Sequence, residues 1–301
     1  MSFLWKLSAL AALNLMGFAI ARPGSHDIHA RTDIWDIINQ LNTTDNPPND
    51  YNCKSSIHPN PIILLHGMLS NPSKDLKPLQ KDLNSRGYCT FAVKYGEHVE
   101  TPWIGGVTDM RQSSNTIADF ILDVVKRTGA PKVDIVGHSE GGVMSLYVPM
   151  THKDVSAHVE RIIALGPAVH GAQYYGLTSL SYSGEVSRYV VSQILHLIGC
   201  AACDDMATGG NIYNDFKAAS KIVQSGNKVT IVMSKSDTLV SSDRSIINEP
   251  GVNDIFVQDF CPEDKVGHSG LAQDTGIWDM IRNILADNVH GPVTCTQGLP
   301  Y

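Results

Sequence analysis

Val133-Asp134-Ile135-Val136-Gly137-His138-Ser139-Glu140-Gly141-Gly142 is the stretch whose reading decides the fold. An apolar run reads as a strand. It leads straight into Gly-x-Ser-x-Gly, and a helical pattern follows. This is the setting of a nucleophile elbow, in which a serine sits on a sharp strand-to-helix turn. Such a turn holds the serine in a strained backbone conformation, so a Cβ two positions before or after it would crowd neighbouring chain. Gly137 and Gly141 leave that room, and Gly142 extends it. The pentapeptide alone also fits a glycine-rich loop around a buried serine. The strand before it and the helix after it favour a nucleophile.

A serine hydroxyl needs a base to take its proton and a third group to orient that base. After an elbow of this kind the chain order is serine, acid, histidine. The last strand-like run is Asp254-Ile255-Phe256-Val257, and Gly267-His268-Ser269-Gly270 follows in a polar loop. Loops at strand ends concentrate catalytic residues, which makes His268 the expected base. His152, His158 and His170 come too early, His196 sits in an apolar helical stretch, and His290 lies beyond the last helix. For the acid, the strand Lys228–Met233 ends in Ser234-Lys235-Ser236-Asp237. Asp237 is therefore expected, ahead of Asp243 deeper in the loop and Asp259 just past the final strand.

Charge developing on a substrate oxygen needs two backbone N–H donors. Glu140, after the serine, would supply one. Pro61-Ile62-Ile63-Leu64-Leu65-His66-Gly67-Met68 reads as an early strand and a turn, and Met68 would supply the other. His66 and Gly67 would shape that loop. The helix starting near Glu140 would also point its positive end at the site.

Working outward, strands and helices alternate. Strand-like runs at 61–65, 88–94, 132–136, 161–166, 228–233 and 254–258 are interleaved with helical patterns at 73–86, 109–128, 211–224 and 277–286. Within 109–128, Ile117, Phe120, Ile121, Val124 and Val125 form one apolar stripe that stops at Gly129. Near-continuous apolar strands alternating with helices predict an α/β fold, a mostly parallel sheet with helices on both faces. Ligands in such sheets bind beyond the C-terminal strand ends, where Ser139, Asp237, His268 and Met68 would converge. Residues 167–208 break the alternation with many tyrosine, leucine and isoleucine side chains, which suits either an apolar cap or lid over the site or simply a buried helix.

The chain of 301 residues carries a net charge of −7 and no basic cluster, which argues against nucleic acid as a partner. Residues 1–21 read as a secretory signal peptide: Lys6, an apolar run from Leu7, and Ala19-Ile20-Ala21 as a cleavage site. That run is shorter than the roughly 20 residues of a spanning helix, and no later run is long enough. Residues 22–60 read as a polar leader and 61–301 as the catalytic domain. Asn42-Thr43-Thr44 is a glycosylation sequon. Six cysteines, at 53, 89, 200, 203, 261 and 295, imply disulfides in a secreted chain. Cys200 and Cys203 form a lone C-x-x-C, which reads as a short bridge rather than a redox or zinc site. No metal or organic cofactor is implied, and a monomer is expected.

Taken together these motifs resemble the secreted microbial triacylglycerol lipases of the class 2 type, with the α/β-hydrolase fold. The likeness runs from about Cys53 to Cys295. It rests on the 61–67 strand, Arg86–Phe91, Thr128–Gly142, Leu165-Gly166-Pro167 with His170-Gly171, the Cys200/Cys203 pair, Asp237–Val240, Val257–Pro262 and Gly267–Leu271. The resemblance implies Ser139 as nucleophile, Asp237 as acid, His268 as base, and Met68 and Glu140 as oxyanion donors. It also implies the bridges Cys53–Cys89, Cys200–Cys203 and Cys261–Cys295. It departs from the family at two points. Relatives often carry Gln after the nucleophile, where Glu140 puts a carboxylate beside the oxyanion site. They also often carry a small hydroxyl residue where Met68 stands. The expected function is a secreted serine carboxylic-ester hydrolase, a lipase acting on lipid or ester substrate. A short-chain esterase or polyester hydrolase is the nearest alternative, and a non-catalytic binding module of the same fold the remote one.

Overall fold

Alternate residues of the first strand bury themselves on opposite faces of one sheet, and that alternation organises the molecule. The computed structural model describes residues 49–172 and 185–300. The expected signal peptide at 1–21, most of the 22–60 leader, Asn42 and residues 173–184 of the 167–208 segment lie outside the described residues.

Six strands, β1 (Ile62–Leu65), β2 (Thr90–Val93), β3 (Val133–His138), β4 (Val159–Leu165), β5 (Lys228–Met233) and β6 (Val252–Phe256), form one sheet. Their order is β2-β1-β3-β4-β5-β6 and every pairing is parallel. The chain therefore steps outward from β1 to β2 and returns past β1 to β3. The crevice beyond the C-terminal ends of β1 and β3 is the topological switch point, where open sheets of this kind place their ligands. His66-Gly67-Met68 leaves one strand there and Ser139 leaves the other.

Among the described residues the helices of six or more residues are α1 (Lys77–Ser85), α2 (Met110–Thr128), α3 (Glu140–Thr151), α4 (Glu185–Leu197), α5 (Ala201–Met206), α6 (Asn211–Ala218) and α7 (Thr275–Leu285). Ile62 and Leu64 pack in one cluster with Leu79 and Leu83 of α1 and Ile277, Met280, Ile281 and Ile284 of α7. Ile63 and Leu65 pack in the other with Ile117, Ile121 and Val124 of α2 and Val143 of α3. A two-residue strand period and a helical stripe thus meet on each face, as the sequence patterning predicts. Helix α2 starts at Asp109, whose side chain accepts the Gln112 N–H, and stops at Gly129 with φ of 71°. Asp134 is the charged residue inside an apolar strand. Its buried carboxylate takes hydrogen bonds from His58, Asn60 and the Arg161 N–H at the sheet end away from Ser139.

Three elements differ from the expectation. The helix expected over 73–86 is split into a turn at Pro72–Asp75 and α1, because Pro78 has no N–H to continue the ladder. The helix expected over 211–224 ends at Ala218, and the Ile222 and Val223 N–H groups instead donate to the Glu249 carboxylate. The last strand is Val252–Phe256 rather than 254–258. Asp259 accepts the Phe256 N–H and turns Val257–Phe260 into a helical turn.

Candidate active site

Ser139 has φ of 56° and ψ of −117°, a left-handed conformation that costs a non-glycine residue of order 1–3 kcal/mol. Close packing enforces it. A Cβ on Gly137 would lie 2.1 Å from the Gly141 oxygen, and one on Gly141 would lie 2.0 Å from the Leu65 oxygen. The Ser139 N–H donates to the Leu165 oxygen at 2.8 Å, which ties the turn to β4.

His268 Nε2 lies 2.8 Å from Ser139 Oγ, and His268 Nδ1 lies 2.6 Å from Asp237 Oδ2. The other Asp237 oxygen accepts the N–H groups of Leu239 at 2.9 Å and Val240 at 2.8 Å. The carboxylate is thereby held in one orientation, and the imidazole is held between it and the serine. All three expected residues come together from the loops after β3, β5 and β6. Gly166, which follows β4 with φ of 55°, leaves space for the ring, since a Cβ there would stand 3.2 Å from His268 Cε1.

The competing acids have other partners. Asp243 is exposed and pairs with Arg244 at 3.4 Å. Asp259 pairs with Lys235 at 3.1 Å. The early histidines are tied elsewhere: His152 to Asn115, His158 to the Pro131 oxygen and His170 to the Ile246 oxygen. His196 is half-exposed, 3.3 Å from Asp204, rather than packed in an apolar interior, and His290 stacks on Phe260.

The loop after β1 lies against the serine, with a Cβ on Gly67 only 3.2 Å from Ser139 Cβ. His66 is buried, stacks on Tyr95 and is held below the ordinary imidazole range by that burial, so it is neutral at pH 7. Met68 Sδ touches Cys203 Sγ at 3.4 Å. Glu140 begins α3, where the first N–H groups of a helix have no intrahelical acceptor. Its side chain is fully buried. Burial, with the Asp205 charge adding to it, pushes its carboxyl up to about 8.

Sequence reasoning missed Asp75 and His138. His138 Nδ1 meets Asp75, His138 Nε2 faces the His268 main-chain oxygen at 3.0 Å, and Asp75 Oδ2 accepts the Gly67 N–H at 2.7 Å. The pair thus joins the loop that carries Met68 to the loop that carries His268. The position of His138, directly before the serine, was a usable signal. Asp75 gave none, because a carboxylate at the start of a helix reads as a solvated end.

The three bridges Cys53–Cys89, Cys200–Cys203 and Cys261–Cys295 are present. Among the described residues no helix is long and apolar enough to cross a membrane, and no group of three or more His, Cys, Asp or Glu side chains is arranged to hold a metal.

The parallel sheet, the switch-point crevice and the strand-to-helix serine define the α/β-hydrolase fold. The sequence matches the family Lipase (class 2) over residues 59–278, and the chain belongs to that family of ester hydrolases. Among solved structures it is similar to lipase B of Aspergillus fumigatus, with a TM-score of 0.62 and 14% identity over 82% of this chain, spanning only 56% of the length of that protein. It is also similar to Bacillus licheniformis lipase BlEst2 in its mature form, with a TM-score of 0.56 and 16% identity over 80% of this chain and 96% of the other. A lipase-esterase related protein from Clostridium acetobutylicum matches with a TM-score of 0.53 and 16% identity over 75% of this chain and 94% of the other.

Proposed function

We propose that the protein is a secreted serine carboxylic-ester hydrolase with acylglycerols as its substrate class. The observation that carries the reading is the hydrogen-bond chain from Ser139 Oγ through His268 to Asp237 on a serine of left-handed backbone. In this mechanism Ser139 Oγ attacks the ester carbonyl while His268 Nε2 takes its proton. Asp237 stabilises the imidazolium through Nδ1. The oxyanion is held by the Met68 and Glu140 N–H groups. His268 then gives the proton to the leaving alcohol. Water, activated by the same imidazole, releases the acid from Ser139.

Three disulfides support an oxidising compartment, consistent with removal of residues 1–21 on export. Tyr189, Val190 and Leu197 of α4 are exposed, and apolar side chains in water favour contact with a lipid surface over a purely soluble substrate.

The test is a hydrolysis profile across acyl-chain lengths, with substrate below and above its solubility limit. The proposal expects long-chain glycerides to be cleaved, with a jump in rate once an emulsion forms. Simple saturation on soluble short-chain esters, with no action on emulsions, would make the protein an esterase.

A further inference from the structure

Glu140 is the one member of the site whose side chain has no evident task. Both Oε atoms are buried, and neither has a hydrogen-bond partner among the described residues. The carboxyl is wedged behind the oxyanion loop. A Cβ on Gly106 would lie 2.6 Å from Glu140 Oε2 and 2.9 Å from Met68 Cα, so only a bare backbone fits between them. Gly106 is itself pinned, with φ of 66° and its N–H on the Tyr95 oxygen at 2.9 Å.

We propose that Glu140 is a positioning residue that works as a neutral carboxylic acid, and that its ionisation sets the alkaline limit of the reaction at Ser139. The inference rests on the function proposed above. A neutral acid can sit against Gly106 and Met68 without solvent. A carboxylate cannot, because an ion without donors must draw in water or repel the charge it faces. Ionisation therefore has two consequences, both adverse. Water drawn in behind Gly106 would loosen the Met68 loop, and a fixed negative charge one residue from Ser139 would oppose the oxyanion.

Among the described residues no cation is hydrogen-bonded to the Glu140 carboxyl. Asp205 on α5 is negative and is committed to the Met110 N–H and to Asn211, each at 2.9 Å. Tyr95, in the segment after β2, is buried and held well above its ordinary range, first by that burial and then by Glu140 and Asp75. His66, after β1, is neutral. His138, before Ser139 on β3, is engaged with Asp75. His268 is engaged with Asp237 and Ser139. Burial, the largest cause, and Asp205 place the Glu140 transition at about 8.

The experiment is the pH dependence of kcat/KM on 4-nitrophenyl butyrate for the wild-type protein and for Glu140→Gln, an uncharged side chain of the same shape. With a transition near 8, about one tenth of the protein is neutral at pH 9, so the wild-type value falls about tenfold between pH 7 and pH 9. In Glu140→Gln that fall shrinks to about twofold or less. Parallel alkaline limbs in two active proteins overturn the inference and leave the ester-hydrolase reading intact. Absence of wild-type hydrolysis at every pH overturns that reading as well. Should the variant fail to fold, carboxyl-labelled glutamate is followed by NMR in the wild-type protein. One resonance titrating near 8 supports the inference, and no glutamate titrating above about pH 6 overturns it.

Discussion

His138 Nδ1 lies 3.0 Å from both carboxylate oxygens of Asp75, and the two side chains are buried together. The other ring nitrogen faces the His268 carbonyl, so both nitrogens meet acceptors and the ring is an imidazolium. Burial opposes charge on both partners, but their mutual attraction and hydrogen bonds outweigh it. His138 is held above 6.5 and Asp75 below 3.8.

Asp75→Asn therefore destabilises the protein by about 3–5 kcal/mol, since one charge stays buried without its partner. The stabilisation from Asp75 is present above pH 3.8 and is lost as pH falls through its lower folded value. That from His138 is present below pH 6.5 and is lost as pH rises through its higher folded value. Urea unfolding of both proteins should show a wider gap at pH 5 than at pH 9. An equal gap at both would mean that His138 is neutral.

Asp237→Asn lowers kcat by about 10⁴, because only Asp237 stabilises the His268 imidazolium. Asp243→Asn and Asp259→Asn stay within about threefold of wild type, as exposed carboxylates paired to neighbouring cations away from Ser139 and His268. Steady-state kinetics on one soluble ester decide this. A crippled Asp243 or Asp259 variant would show that the acid has been misassigned.

Glu140→Gln changes stability by an amount that depends on pH. The folded Glu140 transition is raised from 4.5 to about 8, so the folded state binds more protons than the unfolded one between those values. Its stabilisation is present below pH 4.5 and is lost as pH rises through about 8, a swing on the order of a few kcal/mol. The variant should match wild type in thermal melts at pH 4.5 and melt higher at pH 9. A constant difference across that range would contradict a buried neutral acid.

The disulfides separate stability from activity. Cys53–Cys89 closes a separation of 36 residues, and its loss should cost about 4 kcal/mol on the loop-entropy scale. Cys200–Cys203 closes a separation of only 3 and should cost less than half as much. Because Cys203 Sγ rests on Met68 Sδ, however, the double serine variant of the short bridge should lose more kcat per unit of melting temperature than that of the long one. Equal ratios would remove any link between the short bridge and the Met68 loop.

How much the sequence disclosed follows from which forces are local. The β1, β3 and β5 strands, α2 with its Asp109 and Gly129 ends, and the convergence of Ser139, Asp237 and His268 were legible because each rests on a periodic pattern or a turn with fixed chain order. Of the three elements that moved, the 73–86 split and the last strand turned on local effects at Pro78 and Asp259, and the end of α6 on a contact across a long separation. Glu249 captured the N–H groups that would have extended α6. Asp75 was invisible for the same reason, its partner His138 standing 63 residues away. The sequence points to Glu140 for its backbone alone; its side chain is buried by the loops carrying Gly106 and Met68, which close on it from distant parts of the chain.

The proposed function makes Ser139 a nucleophile activated by His268, which covalent labelling of the folded wild-type protein with a fluorophosphonate, followed by peptide mass spectrometry, tests directly. Stoichiometric phosphonylation is expected on the peptide containing Ser139, abolished in Ser139→Ala and strongly slowed in His268→Ala. No adduct on the folded protein, or an adduct on another residue that survives in Ser139→Ala, would contradict it.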